Sequence, residues 1–525
     1  MKERKYPIGI QTFSRIISEG LVYVDKTDLV WQLAHYGTYI FLSRPRRFGK
    51  SLLTSTLESY FRGEKKLFEG LKIMSLEQEW VQYPVIHLDL STVKGRSSAE
   101  DLRRALVLML SRMACYQVNP KEVTPGEILE GMIRRLYSET GQQVVVVVDE
   151  YDAPLLDVMH DEVILDSMRN VMTEFYQNLK AREAMIKFCF ITGITRLSQM
   201  NIFSALNNLT NISLLPKFSA LCGITEQELH NVLLPDIELL AECYDCTTEE
   251  MKEILKTRYD GYHFSGKSPD IYNPYSLFSA FANQKVSNYW FETGTPTFLI
   301  QMMQKFKYDI TSMDDIESTD YAISRPTEAM TTMVPLLYQS GYLTIKDYDR
   351  ETDIYTLGIP NQEVRIGYAD GLLPTYSGLE GENVQAGFAL KFWRALKKSD
   401  VEQAMQEMKS YMAAIPYVEG FKKKLADAAT AEGFYEYTMY LIFSMLNVYA
   451  RTQVRCAGGR ADMVVWMPDT VYVFELKANG TAQEALEQID SKGYAIPYEA
   501  GGRRVVKVGV KFNQDTRVPE SWVIA

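Results

Sequence analysis

Five consecutive valines, Val144 to Val148, run directly into Asp149-Glu150-Tyr151-Asp152. A strand with one wet face alternates polar and apolar residues, so a run that is apolar throughout has to be covered on both faces. That demand selects a parallel sheet between layers of helices. The acids at the end of the run then fall where open α/β sheets bind ligands. Further apolar strands are legible at Tyr39–Ser43, Pro84–Leu90 and Met185–Gly193, while 98–116, 126–139 and 162–182 have helical spacing. Strands alternating with helices predict a three-layer αβα domain over residues 1–225.

The strand at Tyr39–Ser43 leads into Arg44-Pro-Arg-Arg-Phe-Gly-Lys-Ser51, and LLTSTLESYF follows with helical spacing. Strand, tight loop and helix is the layout of a phosphate-binding loop. Gly49 lets the backbone approach a phosphate, Lys50 reaches the β and γ oxygens, and Ser51 can hold Mg²⁺. Arg46, Arg47 and Phe48 complete the nucleotide-binding stretch. The usual pattern G-x4-G-K-[ST] fails at its first position, where this chain has Arg44. With the loop in place, Asp149 is expected in the Mg²⁺ shell and Glu150 beside an attacking water, with ATP as the ligand. Thr192 or Arg196 is placed to sense the γ-phosphate, although polar residues there serve equally as turn residues.

A second constellation lies near the C-terminus, in GRADMVVWMPDTVYVFELKANG. Two β-branched runs flank Met467-Pro468-Asp469-Thr470, which has turn chemistry. With Pro468-Asp469 at the tip, Met467 pairs with Thr470 and Asp462 comes opposite Glu475. Glu475 and Lys477 then share a face while Leu476 points into the core. Two carboxylates and an ammonium on one surface suit a divalent metal and a phosphate. The bland alternative is a salt-bridge cluster on an exposed hairpin, where each pair contributes ~0–1 kcal/mol. Helices are expected over Glu432–Ala450 and Ala482–Tyr494, and a strand over Val505–Val510.

At 525 residues the chain is too long for one core, and three regions are expected: 1–225, 226–395 and 396–525, the last with its core at 430–515. The middle region is helix-rich. There the helix Met333–Ser340 precedes two strands in a winged-helix-like order, with an acidic tip that suits packing better than DNA. Met405, Met408 and Met412 form a stripe expected in the core. Cys243 and Cys246 have CxxC spacing without a second ligand pair at finger-like distance. A net charge of −11 gives no global attraction for nucleic acid, so binding needs a local basic patch. No apolar run approaches a membrane span, and six cysteines in so long a chain suggest a reducing, cytoplasmic setting.

RPRRFGKSL, VVVVVDEYDAP and FITGITRLSQMNIFSALNN resemble the AAA-ATPase-like bacterial proteins, as do Tyr23-Val-Asp-Lys-Thr27, Tyr259-Asp-Gly-Tyr-His-Phe264 and Tyr272-Asn-Pro-Tyr275. In that family RPRRFGKS is the usual loop, and its proteins commonly end in a PD-(D/E)xK nuclease-like domain. The resemblance maps Asp462 onto the first acid and Glu475-Leu-Lys477 onto the E-x-K. Glu432 matches the acid of the first helix, with Glu436 one turn on able to replace it, and Gln488 and Lys492 match polar positions of the later helix. It implies that Asp462, Glu475 and Glu432 hold Mg²⁺, that Lys477 orients a water and that Gln488 positions a phosphate or water. The implied partner is nucleic acid, DNA in the first place, cleaved under ATP control. The alternative is a nucleotide-switched scaffold whose nuclease-like domain only binds. A motor reading adds a homo-oligomer, with Arg196 as its candidate trans-acting arginine.

Overall fold

The computed structural model of the chain describes residues 4–525 apart from 118, 196–207, 292–296, 307, 324–331, 378–381, 414–430, 447, 514–515 and 517. Two compact units emerge, one built from residues up to Asn361 and the other mainly from Gln362–Ala525.

The first unit is organised by a five-stranded sheet of β1 (Tyr39–Ser43), β2 (Val85–Asp89), β3 (Val144–Asp149), β4 (Ile186–Gly193) and β5 (Thr210–Asn211). Its order is β2-β3-β4-β1-β5, with every pairing parallel. All six residues of β3 are buried, as an all-valine strand demands. Helix α1 (Lys50–Phe61) follows β1, while α2 (Ala99–Ser111), α3 (Pro125–Thr140) and α4 (Glu162–Ala181) supply the connections. Leu106, Met132 and Phe175 of α2, α3 and α4 join Val144, Val146 and Val148 in one apolar cluster. A capping box between Thr124 and Glu127 fixes the start of α3. The two-residue β5 is too short to leave a periodic trace in the sequence.

Beyond the sheet, β6 (Ile224–Thr225) precedes α5 (Glu226–Val232), α6 (Leu234–Cys243) and α7 (Thr248–Tyr259), and β7 (Ile271–Tyr272) precedes α8 (Pro274–Asn283). Then come β8 (Ile316–Thr319), α9 (Val334–Ser340), β9 (Thr344–Asp349) and β10 (Ile354–Gly358). The expected helix and hairpin are present, but β8 pairs with β10 and makes the hairpin a three-stranded sheet.

In the second unit, α10 (Gln362–Ser377), α11 (Glu382–Lys397), α12 (Val401–Ala413) and α13 (Ala431–Met445) lead to β11 (Tyr449–Cys456), β12 (Gly459–Trp466) and β13 (Thr470–Lys477). Helix α14 (Ala482–Lys492), β14 (Arg504–Phe512) and β15 (Pro519–Ile524) complete it. The strands form a sheet in the order β11-β12-β13-β14-β15, in which only β13 and β14 run parallel, joined through α14. The helix expected to reach Ala450 stops at Met445, because Tyr449–Cys456 pairs with β12 and that pairing outweighs helical spacing. Met405, Met408 and Met412 are buried, as a core stripe should be. Among the described residues no helix is long and apolar enough to cross a membrane.

Candidate functional sites

The loop between β1 and α1 is held by its own residues and by the helical region. Gly49 has φ 91°, a left-handed conformation that disfavours any side chain, although a Cβ there would meet nothing within 4 Å. Lys50 is 7% exposed, and its Nζ donates to the carbonyls of Arg44 at 3.0 Å and Pro45 at 2.9 Å. Burial lowers its pKa, while Asp149, Glu150 and Asp152 pull it back up.

Arg44 occupies the position of the first glycine in the usual pattern. Its guanidinium is buried, donates to the carbonyls of Ser43, Ser213 and Phe218, and lies 4.2 Å from the centre of the Phe264 ring. It pins the loop to the residues after β5. Arg47 donates to the Tyr289 carbonyl at 3.0 Å and sits 3.8 Å over the Tyr275 ring. Phe48 packs edge-on against Tyr262 and Phe264, and the Arg46 carbonyl accepts from the Trp290 indole at 3.3 Å. The segments Tyr259–Phe264 and Tyr272–Tyr275 thus supply the wall against which the loop is seated. Arg46 itself is exposed. An open cleft adjoins Gly49, walled by Val22, Val24, Phe48, Leu53, Cys222 and Phe278 among others.

Asp149 closes β3 with one oxygen accepting the Glu150 N–H at 2.9 Å and the other 3.5 Å from the Thr54 hydroxyl of α1. Ser51 is half-buried one turn before Thr54. Glu150 has φ 48°, unusual outside glycine, and burial raises its pKa against the pull of Lys50. Thr192 is fully buried and its hydroxyl donates to the Leu42 carbonyl at 2.8 Å, so that group is committed to joining β4 to β1. Arg196 lies outside the described residues. Asp152, given no role from sequence, accepts from the N–H of Ile194 and from both the N–H and hydroxyl of Thr195, which ties the end of β3 to the end of β4. Its one sequence signal was its place in the acidic run.

The second site sits on β12, β13, α14 and α13. Met467 donates to the Thr470 carbonyl, and the ladder runs from Trp466↔Val471 to Met463↔Phe474, the expected register. Asp462 and Glu475 are the next facing positions. There the Asp462 Oδ2 accepts the Leu476 N–H at 2.7 Å, so a side chain takes the place of the next ladder bond. Leu476 is buried as expected, but so is Glu475, at 2% exposure. The exposed salt-bridge cluster is therefore excluded. Glu475 Oε1 accepts from Lys477 Nζ at 3.1 Å, whereas Oε2 is buried with no hydrogen-bond partner among the described residues. Burial and then Asp462 push its pKa up to about 7, against the pull of Lys477.

Lys477 Nζ also donates to Gln488 Oε1 at 2.6 Å, and Gln488 Nε2 donates to the Tyr494 hydroxyl at 3.3 Å. Since an ammonium can only donate, this pair fixes the orientation of the Gln488 amide. Glu432 lies on α13, but its side chain is outside the described residues. Glu436, one turn along, is buried and accepts from Gln453 Nε2 at 2.6 Å. Burial, with Asp462 adding to it, raises its pKa to about 7, which marks it as electrostatically close to Asp462. Gln453 and Tyr494 carry no sequence signal of a role.

Residues 7–203 match the family described as a predicted AAA-ATPase, and residues 430–522 match the PD-(D/E)XK nuclease superfamily. The chain is also similar to an uncharacterized protein in the vnfD 5' region of Azotobacter chroococcum mcd 1. The two are 32% identical over 536 residues, which covers 100% of this chain and 99% of that protein.

Proposed function

From the premise that the chain belongs to the AAA-ATPase-like family and ends in a PD-(D/E)XK nuclease superfamily domain, we propose that it is an ATP-binding ATPase that controls metal-dependent hydrolysis of nucleic-acid phosphodiesters, DNA first, in a cytoplasmic setting. The observation that carries the nuclease half is Glu475, a buried carboxylate with one oxygen unpartnered beside Asp462. Such a group costs folding free energy unless something binds it. That donor set fits a hard divalent cation, which Mg²⁺ sites commonly hold through one or two carboxylates with waters completing the shell. Asp462 and Glu475 would hold it, with Glu436 across α13. A bound ion there supplies Lewis-acid activation of a phosphate and a water. Lys477, oriented by Gln488, neutralises charge developing on the phosphate oxygens.

At the loop, Ser51 and Asp149 fit the same cation and the N–H groups that open α1 face a phosphate. Lys50 has to exchange the Arg44 and Pro45 carbonyls for phosphate oxygens. Glu150, with its raised pKa, orients a water. The apolar cleft beside Gly49 suits the base. All six cysteines are free thiols, in keeping with a reducing compartment.

A second reading, a nuclease-like module that binds without cutting, is favoured by one observation: among the described residues no three acids, histidines or cysteines converge well enough to hold a metal ion. Incubating the protein with labelled DNA and RNA, single- and double-stranded, with Mg²⁺ or Mn²⁺ separates the two. Cleavage lost in both Asp462→Asn and Lys477→Ala supports the enzyme, and retention without cleavage supports the module. Cleavage indifferent to ATP and to Lys50→Ala would sink the coupling between the units.

A further inference from the structure

We propose that the tip of the β11–β12 hairpin is a track for the phosphate backbone of a nucleic acid, gripped by Arg455 and Arg460. The inference rests on the nuclease reading only for what happens next to it, at Asp462. Arg455 faces Arg460 directly across the ladder, and both are exposed. Neither side chain has a hydrogen bond or ion pair among the described residues. Like charges directly opposite each other destabilise a strand pair, so folding gives no reason for this arrangement. The chain has 67 acids against 56 lysines and arginines, yet among the described residues none forms an ion pair with these two arginines.

The placement is specific. Arg460 and Asp462 alternate along β12 and so share a face, about 7 Å apart. A strand of nucleic acid carries one negative charge per nucleotide, so a backbone gripped at Arg460 brings a neighbouring phosphate close to Asp462. The tip is also held firmly. A Cβ on Gly458 would come within 1.8 Å of the Lys492 carbonyl oxygen, so only glycine lets the hairpin seat against the end of α14. Lys492 itself is exposed in the last turn of that helix and adds a third cation at this end of the unit. In a protein of net charge −11, this is the kind of local basic patch that phosphate binding requires.

The test is fluorescence anisotropy with a fluorescein-labelled DNA duplex and full-length protein carrying Asp462→Asn to prevent cutting, across a salt titration. Adding Arg455→Gln and Arg460→Gln should weaken binding about tenfold and lower the slope of log K against log salt by about 2. Arg455→Lys with Arg460→Lys should keep the slope, and Lys65→Gln with Lys66→Gln, an equal charge change at exposed positions of the other unit, should leave it alone. The glutamine pair should melt no lower than its parent, since it removes a like-charge contact. An unchanged slope, or no binding by the parent, overturns the track. Cleavage by the unsubstituted protein is measured in parallel. Cleavage with an unchanged slope rejects the track and keeps the nuclease, while a lowered slope without cleavage does the reverse.

Discussion

Lys50 and Glu475 are both charged groups shut away from solvent, 7% and 2% exposed, yet their surroundings differ. The ammonium of Lys50 has two carbonyls within 3.0 Å, supplied by its own loop. Glu475 has one cation on Oε1 and nothing on Oε2 among the described residues. A satisfied buried charge holds its surroundings in shape, and replacing it leaves its partners stranded. An unsatisfied one lowers stability and keeps binding capacity in reserve, the usual trade at a functional site. The phosphate loop should therefore lose stability when its cations are cut back, and the carboxylate site should gain it when Glu475 is neutralised.

The largest effect expected is at Glu475. Glu475→Gln keeps the shape, removes a hard anionic ligand and should reduce cleavage by about 10³-fold or more, the scale of losing one electrostatic group at a reacting phosphate. At pH 8 the same variant should be more stable by about 1 kcal/mol, because it no longer buries a charged oxygen without a partner. Urea unfolding and a cleavage assay on one preparation give both numbers. Lost activity together with lost stability would break the contrast.

Arg44→Gly is next. It restores the glycine of the usual phosphate loop, but it strands the carbonyls of Ser213 and Phe218 and opens a cavity beside Phe264. The protein should lose about 3 kcal/mol of stability, read from the urea midpoint. A neutral result would mean that the arginine is at the loop for its charge rather than for its three carbonyls.

The pH dependence of the carboxylate site follows from Glu436 and Glu475, both pushed up to about 7 by burial. Between the ordinary glutamate value of about 4.3 and about 7, the folded state keeps protons that the unfolded chain has released. These groups' contribution to stability is therefore greatest below that window, falls as pH rises through it and is flat above 7. Cleavage, which needs both carboxylates ionised, should rise about a hundredfold per pH unit well below 7 and then level off. Glu436→Gln with Glu475→Gln should flatten the stability profile. Lys50, whose burial lowers its pKa, contributes the opposite slope near the alkaline end.

What could be read from the sequence divides along the same line. The all-valine β3, the hairpin register and the Glu475–Lys477 face depend on residues close in the chain, so alternation and turn chemistry revealed them. The burial of Glu475 was not legible, because the strands and helices that cover it come from elsewhere in the sequence. Arg44 was readable as a departure from the pattern, but its partners Ser213 and Phe218 lie 169 and 174 residues away. Asp152 shows the same limit, since Ile194 and Thr195 sit at the end of another strand. Local geometry yields positions, and only the packed sheet says which charges are satisfied.

The smallest effect tests whether the loop is held from outside. Arg47 stacks on Tyr275 and bonds Tyr289, contacts worth about 1 kcal/mol together at a half-buried site. Against that, its φ of 66° carries a strain of about 1 kcal/mol that any residue with a Cβ shares and glycine does not. Arg47→Ala should therefore lose about 1 kcal/mol, while Arg47→Gly gains back the strain and ends near neutral. A difference between the two in the urea midpoint shows that the clamp and the strain are separate contributions, with the helical region supplying the first. Equal losses would mean that the left-handed turn is relaxed in solution, and that Tyr275 and Tyr289 do not hold the phosphate loop in the way the contrast with the carboxylate site requires.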